Sequence, residues 1–287
     1  MITLNAYAKI NLSLDVVGRL ANGYHEVRMI MQTVGIHDTL TFEKTEGEIV
    51  LSSDAGELPL GEDNLIYKAA KLVKETYGIS GGVKVHLEKR IPVAAGMAGG
   101  STDAAATLKA MNLLYDLRLS EEDLCGLGVK LGADVPYCIM GGTALSEGIG
   151  EVLTKLAPMP ECVLLVAKPD INVSTKEVYQ ALDSQSVPWH PDVDGMRQAI
   201  EEGWLEGIYS RLGNVLETVT VAKHPIVSEI KQEMLGNGAL GSLMSGSGPS
   251  VFGIFDDEEK ARAAGECIEN KGLAKQVFVT GPVNYSC

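Results

Sequence analysis

Basic residues are scarce in this chain. Its 24 Lys and Arg are outnumbered by 38 Asp and Glu, which leaves a formal net charge of -14 over 287 residues. A deficit of that size argues against a nucleic-acid backbone or an anionic membrane as the main partner. An anionic small ligand would need local help from backbone N–H groups and a few well-placed cations. No apolar run approaches the roughly 20 residues that cross a bilayer. The first residues, Met1-Ile2-Thr3-Leu4-Asn5-Ala6-Tyr7, carry no basic region followed by an apolar stretch, so a secretory signal is not expected. The five cysteines, Cys125, Cys138, Cys162, Cys267 and Cys287, are odd in number and lack Cys-x-x-Cys spacing. Reduced thiols in a cytoplasmic protein are the expectation. Repeats, low-complexity tracts and long charge blocks are missing too. What is present is an ordinary globular composition, 45% hydrophobic and 22% charged. The length exceeds the usual single core, so one large or two medium domains are expected.

The stretch from Pro92 to Ala106, Pro-Val-Ala-Ala-Gly-Met-Ala-Gly-Gly-Ser-Thr-Asp-Ala-Ala-Ala, organises the rest. No Lys follows its glycines, which excludes Gly-x-x-x-x-Gly-Lys-Ser/Thr, and the spacing of Gly96, Gly99 and Gly100 does not match Gly-x-Gly-x-x-Gly. These glycines let the backbone turn sharply or go left-handed and come close to a ligand. A strand is expected before the loop, from Val83 to Lys89, with His86 on its solvated face beside Lys84 and Glu88. Ser101, Thr102 and Asp103 read as a helix start, and Ala104 to Leu114 has helix-forming composition. A glycine loop that opens a helix presents unpaired N–H groups and a positive dipole end, which is what a phosphate site needs. Read alone, the stretch is also open to a tight strand-to-helix turn with no ligand.

Asn5 to Leu14 alternates as a half-buried strand, with Asn5, Tyr7, Lys9, Asn11 and Ser13 on the polar face. Lys9 and Asn11 then point the same way, although taken alone Lys9 reads first as a solvated strand lysine. Asn22-Gly23 signals a turn that presents Tyr24 and His25 beside a strand from Val27 to Val34. A ring beside an imidazole suits a flat heterocycle, through stacking and edge hydrogen bonds; a packed Tyr and a surface His is the alternative. Thr39 to Lys44 reads as another strand. Asp63 or Asn64 caps a helix that Gly78 stops. Ser120 and Asp123 form a capping box for a helix ending near Leu131. Gly132-Ala133-Asp134-Val135-Pro136 places Asp134 at a helix end, in a turn that proline limits. A carboxylate there could accept a hydroxyl proton, or simply bond its own backbone.

Leu156 to Glu161, with Pro158 and Pro160, is the expected boundary between halves 1–157 and 158–287. A buried strand from Cys162 to Ala167 opens the second half. Helical patterns follow at Thr175 to Leu182, which holds Tyr179, at Val193 to Glu202, Tyr209 to Val221 and Pro225 to Leu235. A second glycine-rich stretch, Ser245-Gly246-Ser247-Gly248-Pro249, lies between two strand-like segments. The helix Asp257 to Asn270 and the strand Lys275 to Thr280 end the chain. This order suggests an α+β layer with helices on one face of a mostly antiparallel sheet.

With the Lys9 strand, the Pro92 to Ser101 loop and the Ser245 to Pro249 loop in this order, the chain resembles the GHMP kinase superfamily over almost its full length. Ala6-Tyr7-Ala8-Lys9-Ile10-Asn11-Leu12, Gly23-Tyr24-His25, Asp63-Asn64-Leu65-Ile66 and Gly132-Ala133-Asp134-Val135-Pro136 are similar to the branch that acts on a cytidyl diphosphate ester of methylerythritol. The resemblance implies a two-domain α+β fold, an N-terminal α/β sandwich joined to a C-terminal ferredoxin-like domain, with the active site in the cleft between them. It implies ATP-dependent phosphorylation of the methylerythritol 2-hydroxyl in non-mevalonate isoprenoid synthesis. Asp134 is then the base and Lys9 its partner. Pro92, Val93, Ala94, Ala95, Gly96, Met97, Ala98, Gly99, Gly100, Ser101 and Thr102 would wrap the ATP phosphates. Tyr24 and His25 would recognise the cytosine, Tyr179 would cover its other face, and Asn11 would contact the acceptor region. Mg²⁺ is expected on the phosphates, with Thr102 as a hydroxyl ligand by analogy.

Met97-Ala98 replaces the Leu-Gly common in the superfamily, so Ala98 is expected in a conformation a Cβ tolerates. Two other readings stay open: a relative that phosphorylates homoserine or mevalonate, and a ligand sensor without catalysis. The sensor has no need for both Lys9 and Asp134, and the other alcohols would want cations for a carboxylate in place of aromatic rings. No coiled-coil seam marks an interface, so monomer and weak homodimer are both compatible with the sequence.

Overall fold

The computed structural model describes residues 1–284 apart from Asn22, Glu57, Gln185, Ser186 and Pro188. Asn22 of the expected turn and Cys287 therefore lie outside the described residues. The first half holds β1 (Ile2–Arg19), β2 (His25–Thr45), β3 (Ile49–Ser53), α1 (Leu65–Tyr77), β4 (Gly82–Glu88), α2 (Gly99–Leu114), α3 (Glu121–Gly128), α4 (Val135–Met140), β5 (Thr143–Glu147) and β6 (Val152–Lys155). The second holds β7 (Val163–Lys168), α5 (Thr175–Leu182), α6 (Val193–Glu201), α7 (Leu205–Tyr209), β8 (Gly213–Asn214), α8 (Glu217–Lys223), α9 (Ile226–Gly236), β9 (Gly241–Met244), β10 (Val251–Phe255), α10 (Glu258–Asn270) and β11 (Gln276–Thr280).

Local chemistry accounts for most of these boundaries. In β4, Val83, Val85 and Leu87 are buried while Lys84, His86 and Glu88 are exposed, the period-two pattern of a strand with one wet face. The side chain of Asn64 accepts from the Ile66 N–H to start α1, and Gly78 stops it at φ 62°. Ser120 and Asp123 make the full reciprocal capping box of α3.

Strands β3-β4-β2-β1-β8 form the first sheet, with β5 added to β2 and β6 to β5. The second sheet runs β11-β7-β10-β9 with every neighbour antiparallel. Taken in chain order, that is the fourth, first, third and second strand, the ferredoxin-like arrangement, and the expected α+β fold is the observed one. The halves are not separately packed. One buried cluster joins Phe42 and Leu108 to Leu165 and Ile268. The other joins Ile10, Leu12 and Ile30 to Val166 and Phe252. Leu156 and Met159, in the expected boundary, are buried in that second cluster.

Several local expectations are corrected. β1 is not half-buried: Lys9, Asn11, Ser13 and Asp15 are covered as fully as the apolar face. Its register against β2 shifts between Tyr7 and Lys9 and again between Asn11 and Ser13. Such bulges re-aim side chains, which puts Ala6 and Leu14 in one core cluster and Ile10 and Leu12 in the other. Val27 to Val34 and Thr39 to Lys44 belong to one long β2, because an irregularity lets a strand bend without ending. α2 begins at Gly99, not Ser101. α3 ends at Gly128, earlier than Leu131. The pattern from Tyr209 to Val221 is broken by β8, whose Gly213 and Asn214 pair with Ser13 and Leu14 of β1. Tertiary pairing there overrides helical spacing.

The left-handed residues of the first glycine loop are Ala94, Gly96 and Ala98, at φ 52°, 72° and 58°, and not Gly99 or Gly100. Ala98 thus occupies a conformation that a Cβ disfavours by about 1–2 kcal/mol, against expectation. Gly96 is constrained twice. Besides its positive φ, a Cβ there would collide with the carbonyl oxygen of Ser245. Gly96→Ala is expected to cost about 2–4 kcal/mol from left-handed strain and overpacking together, read as a lower midpoint in urea. A loss under about 1 kcal/mol would mean that the two loops separate freely.

Candidate active site

The two glycine-rich loops meet at one backbone carbonyl. The Gly96 oxygen accepts from Lys9 Nζ at 3.2 Å and from the Ser245 hydroxyl at 3.0 Å. The neighbouring Met97 oxygen accepts from the Lys9 N–H at 3.2 Å. Asn214 Nδ2 donates to the carbonyls of Met244 at 2.9 Å and Gly246 at 2.7 Å, which holds the second loop from below. Lys9, the first loop and the second loop are therefore one hydrogen-bonded unit.

This unit walls a cavity of about 1020 Å³. Lys9 and Asn11 line it from β1, Tyr24 and His25 from the start of β2, Asp134 from the start of α4, and Tyr179 from α5. Residues 92–96 and 98–101 line it as well. Met97 and Thr102 do not. Both are buried, and the Thr102 hydroxyl donates to the Tyr7 carbonyl at 2.8 Å, so its proton is committed to β1. Ser101 is the hydroxyl of this loop that faces the cavity.

Lys9 Nζ donates to Asn11 Oδ1 at 2.8 Å and lies 3.7 Å from Asp134 Oδ2. Asp134 starts a helix, where a helix end was expected. It is the N-cap residue of α4, with Pro136 in the first turn, where a missing N–H costs nothing. Its carboxylate makes no capping bond to its own helix and stays directed to the cavity. The N-terminal end of α4 and the Lys9 ammonium both lie beside this carboxylate. Tyr179 packs on His25 with ring centroids 4.7 Å apart. Burial and then the charge of Asp134 push the Tyr179 hydroxyl up from its ordinary value. Tyr24 is 60% exposed at the cavity mouth. The arrangement can bind an extended polyanion along the first loop, orient a hydroxyl between Lys9 and Asp134, and take an aromatic ring near His25.

The family model for the GHMP kinases N terminal domain matches residues 64–142, and that for the GHMP kinases C terminal matches residues 190–274. The chain belongs to the GHMP kinase family. Among curated relatives of this GHMP kinase, the 4-diphosphocytidyl-2-C-methyl-D-erythritol kinase of Lachnospira eligens is 53% identical, over 97% of each chain. A crystal structure of 4-(cytidine 5'-diphospho)-2C-methyl-D-erythritol kinase superposes with a TM-score of 0.83 at 33% identity, covering 98% of this chain and 99% of that one. Homoserine kinase from Cytophaga hutchinsonii superposes with a TM-score of 0.76 over 98% of this chain and 95% of its own. At 22% identity it shares the fold alone.

Sequence reasoning missed a buried ionic cluster under the first loop of this GHMP kinase. Asp38 Oδ1 accepts from the N–H groups of Arg90 at 2.6 Å and Ile91 at 2.8 Å, its Oδ2 pairs with Lys89 Nζ, and Lys89 reaches Asp103 Oδ2 at 3.1 Å. One ammonium thus ties the strand entering the loop to the helix leaving it. Asp38 lies on β2, more than fifty residues before Lys89, and no local pattern points to it. Burial pushes the Asp103 carboxyl up to about 8; the Lys89 charge opposes this and the Asp38 charge adds to it. The folded chain keeps a proton that an unfolded Asp, near pKa 3.9, has lost. Stability therefore falls as pH rises between about 4 and 8, because the native state binds more protons. Asp103→Asn lacks this dependence. In urea unfolding at pH 5 and pH 8, wild type should lose stability relative to the variant at the higher pH, and parallel losses would contradict the assignment.

Proposed function

We propose that this chain transfers the γ-phosphoryl group of Mg·ATP to the 2-hydroxyl of 4-diphosphocytidyl-2-C-methyl-D-erythritol. The products are the 2-phosphate and ADP, and the reaction belongs to non-mevalonate isoprenoid synthesis in the cytoplasm. The observation that carries the reading is the shared cavity: Lys9 and Asp134 lie 3.7 Å apart, between the first glycine loop and the aromatic residues Tyr24, His25 and Tyr179. Relatives at 53% identity bear the name of that enzyme.

Phosphoryl transfer demands positioning and charge neutralisation more than covalent help. The N–H groups of the Pro92 to Ser101 loop and the start of α2 hold the triphosphate. Asn11 holds Lys9 beside Asp134, and Asp134 accepts the proton as the acceptor oxygen bonds to the γ-phosphorus and the bond to the β,γ-bridging oxygen breaks. Lys9 offsets the negative charge that gathers between the two oxygens. Among the described residues no group of three or more His, Cys, Asp or Glu could hold a metal ion. Magnesium would come with the nucleotide and supply charge neutralisation on its phosphates. Tyr24 at the mouth and His25 over Tyr179 recognise the cytosine by stacking and by edge hydrogen bonds. Residues 1–157 and 158–287 are read as the two lobes that close this cavity.

A kinase for a smaller alcohol would leave the aromatic end of the cavity without a ligand, which is why homoserine and mevalonate rank below the cytidyl ester. Asp134→Asn should lower kcat by about 10²- to 10⁴-fold with nearly unchanged ATP affinity. His25→Ala should mainly raise KM for the cytidyl substrate. ADP release from Mg·ATP, measured with the cytidyl ester, mevalonate and homoserine side by side, checks both. Turnover of another alcohol would discard the cytosine assignment, and silence with all three would favour a sensor.

A further inference from the structure

His25 is gripped from two sides by one helix. Asp183 caps the C-terminus of α5, and its Oδ1 lies 2.6 Å from His25 Nε2 on the first residue of β2. One turn earlier, Tyr179 packs on the His25 ring at an interplanar angle of 35°. Residues four apart share a helix face, so α5 holds the imidazole at its edge and against its plane. His25, Tyr179 and Asp183 all line the cavity. The His25 hydrogen bond, and more weakly the Arg19 guanidinium 3.4 Å away, hold the Asp183 carboxyl below its usual range. An ionised carboxylate only accepts. At 2.6 Å from a carboxylate oxygen that only accepts, Nε2 is the donor of this contact.

We propose that Asp183 is a positioning residue for base selection: by fixing the Nε2–H of His25, it leaves Nδ1 as the acceptor that reads the base and so selects a 4-aminopyrimidine over a 4-oxopyrimidine. The inference rests on the reading of His25 as a cytosine contact. The 4-amino group of cytosine donates into the Nδ1 lone pair. The O4 of uracil would set two acceptors against each other, and an unmatched polar pair excluded from water is strongly disfavoured. Asp183 thus acts through His25 from the other half of the chain. An amide at 183 can turn either its oxygen or its NH₂ to Nε2 and no longer dictates the tautomer.

The test uses the full chain with the nucleotide site saturated by Mg·ADP, and cytidine 5′-diphosphate and uridine 5′-diphosphate as calorimetric probes. Wild type should prefer the cytidine compound, and Asp183→Asn should reduce that preference about tenfold or more with unchanged melting temperature and unchanged KM for ATP. Asp183→Glu, which keeps the carboxylate, should restore part of the preference. The ¹⁵N spectrum of His25 in free wild type should show a protonated Nε2 and an unprotonated Nδ1. A preference that survives intact in Asp183→Asn overturns the proposal, as does a proton on Nδ1 in wild type. If wild type binds neither diphosphate, the cytidyl reading falls and takes this inference with it. That result is distinct from the failure of Asp183 alone, in which wild type and variant discriminate equally.

Discussion

The Gly96 carbonyl is the point on which the site depends. It takes one hydrogen bond from Lys9 on the first strand and one from Ser245 in the second glycine loop. No side chain other than hydrogen fits where the two loops meet. The same Lys9 ammonium lies beside Asp134 and Asn11. A single cation thus sets the distance between the first glycine loop, the Asp134 carboxylate and the second half of the chain. Its burial is tolerable because backbone and side-chain oxygens surround it.

Charge is organised locally against an acidic background. The chain carries a net charge of -14, yet Lys9, Arg19, Lys89 and Lys176 all line the cavity. Each of the first three is tied to a carboxylate: Asp134, Asp183, and the Asp38 and Asp103 pair. Pairing keeps the cations in place before a ligand arrives and leaves the attraction of an incoming polyanion to N–H groups, the start of α2 and the remaining positive potential. The cluster under the loop has two carboxylates for one ammonium, so a proton completes it. Burial is the main cause of the raised Asp103 carboxyl, and the second carboxylate adds to it.

The first strand and the helix α5 serve the two ends of the cavity differently. β1 is buried on both faces, and its register shifts turn Lys9 and Asn11 toward the loop. α5 is amphipathic and reaches across with Tyr179 and Asp183, so the recognition end is assembled from both halves. The two buried clusters each draw on both sheets, which makes the relative position of these elements a property of the core and not of a linker.

Alternation marked β4, an apolar run marked β7, capping residues marked α1 and α3, and the order of three short motifs marked the family. These signals are local, set by backbone sterics and by period, and they survive without a neighbour. Residues 92–101 were legible as a glycine loop that opens a helix for the same reason. Other features were decided by neighbours alone. Glycine count pointed to Gly96, Gly99 and Gly100 for the left-handed turns; Gly96 takes one, and the others fall at Ala94 and Ala98. Proline at 136 read as the limit of a turn, but it lies in the first turn of α4, which needs no N–H there. Thr102 shared the loop's composition, yet its hydroxyl is spent on Tyr7. Asp38 and Asp183 meet Lys89 and His25 across 51 and 158 residues. By itself, the sequence determined the family and most of the elements, and it put forward the pair Lys9 and Asp134. Only the tertiary structure decided which polar groups are buried together, because the cost of removing a charge from water depends on every group that closes around it.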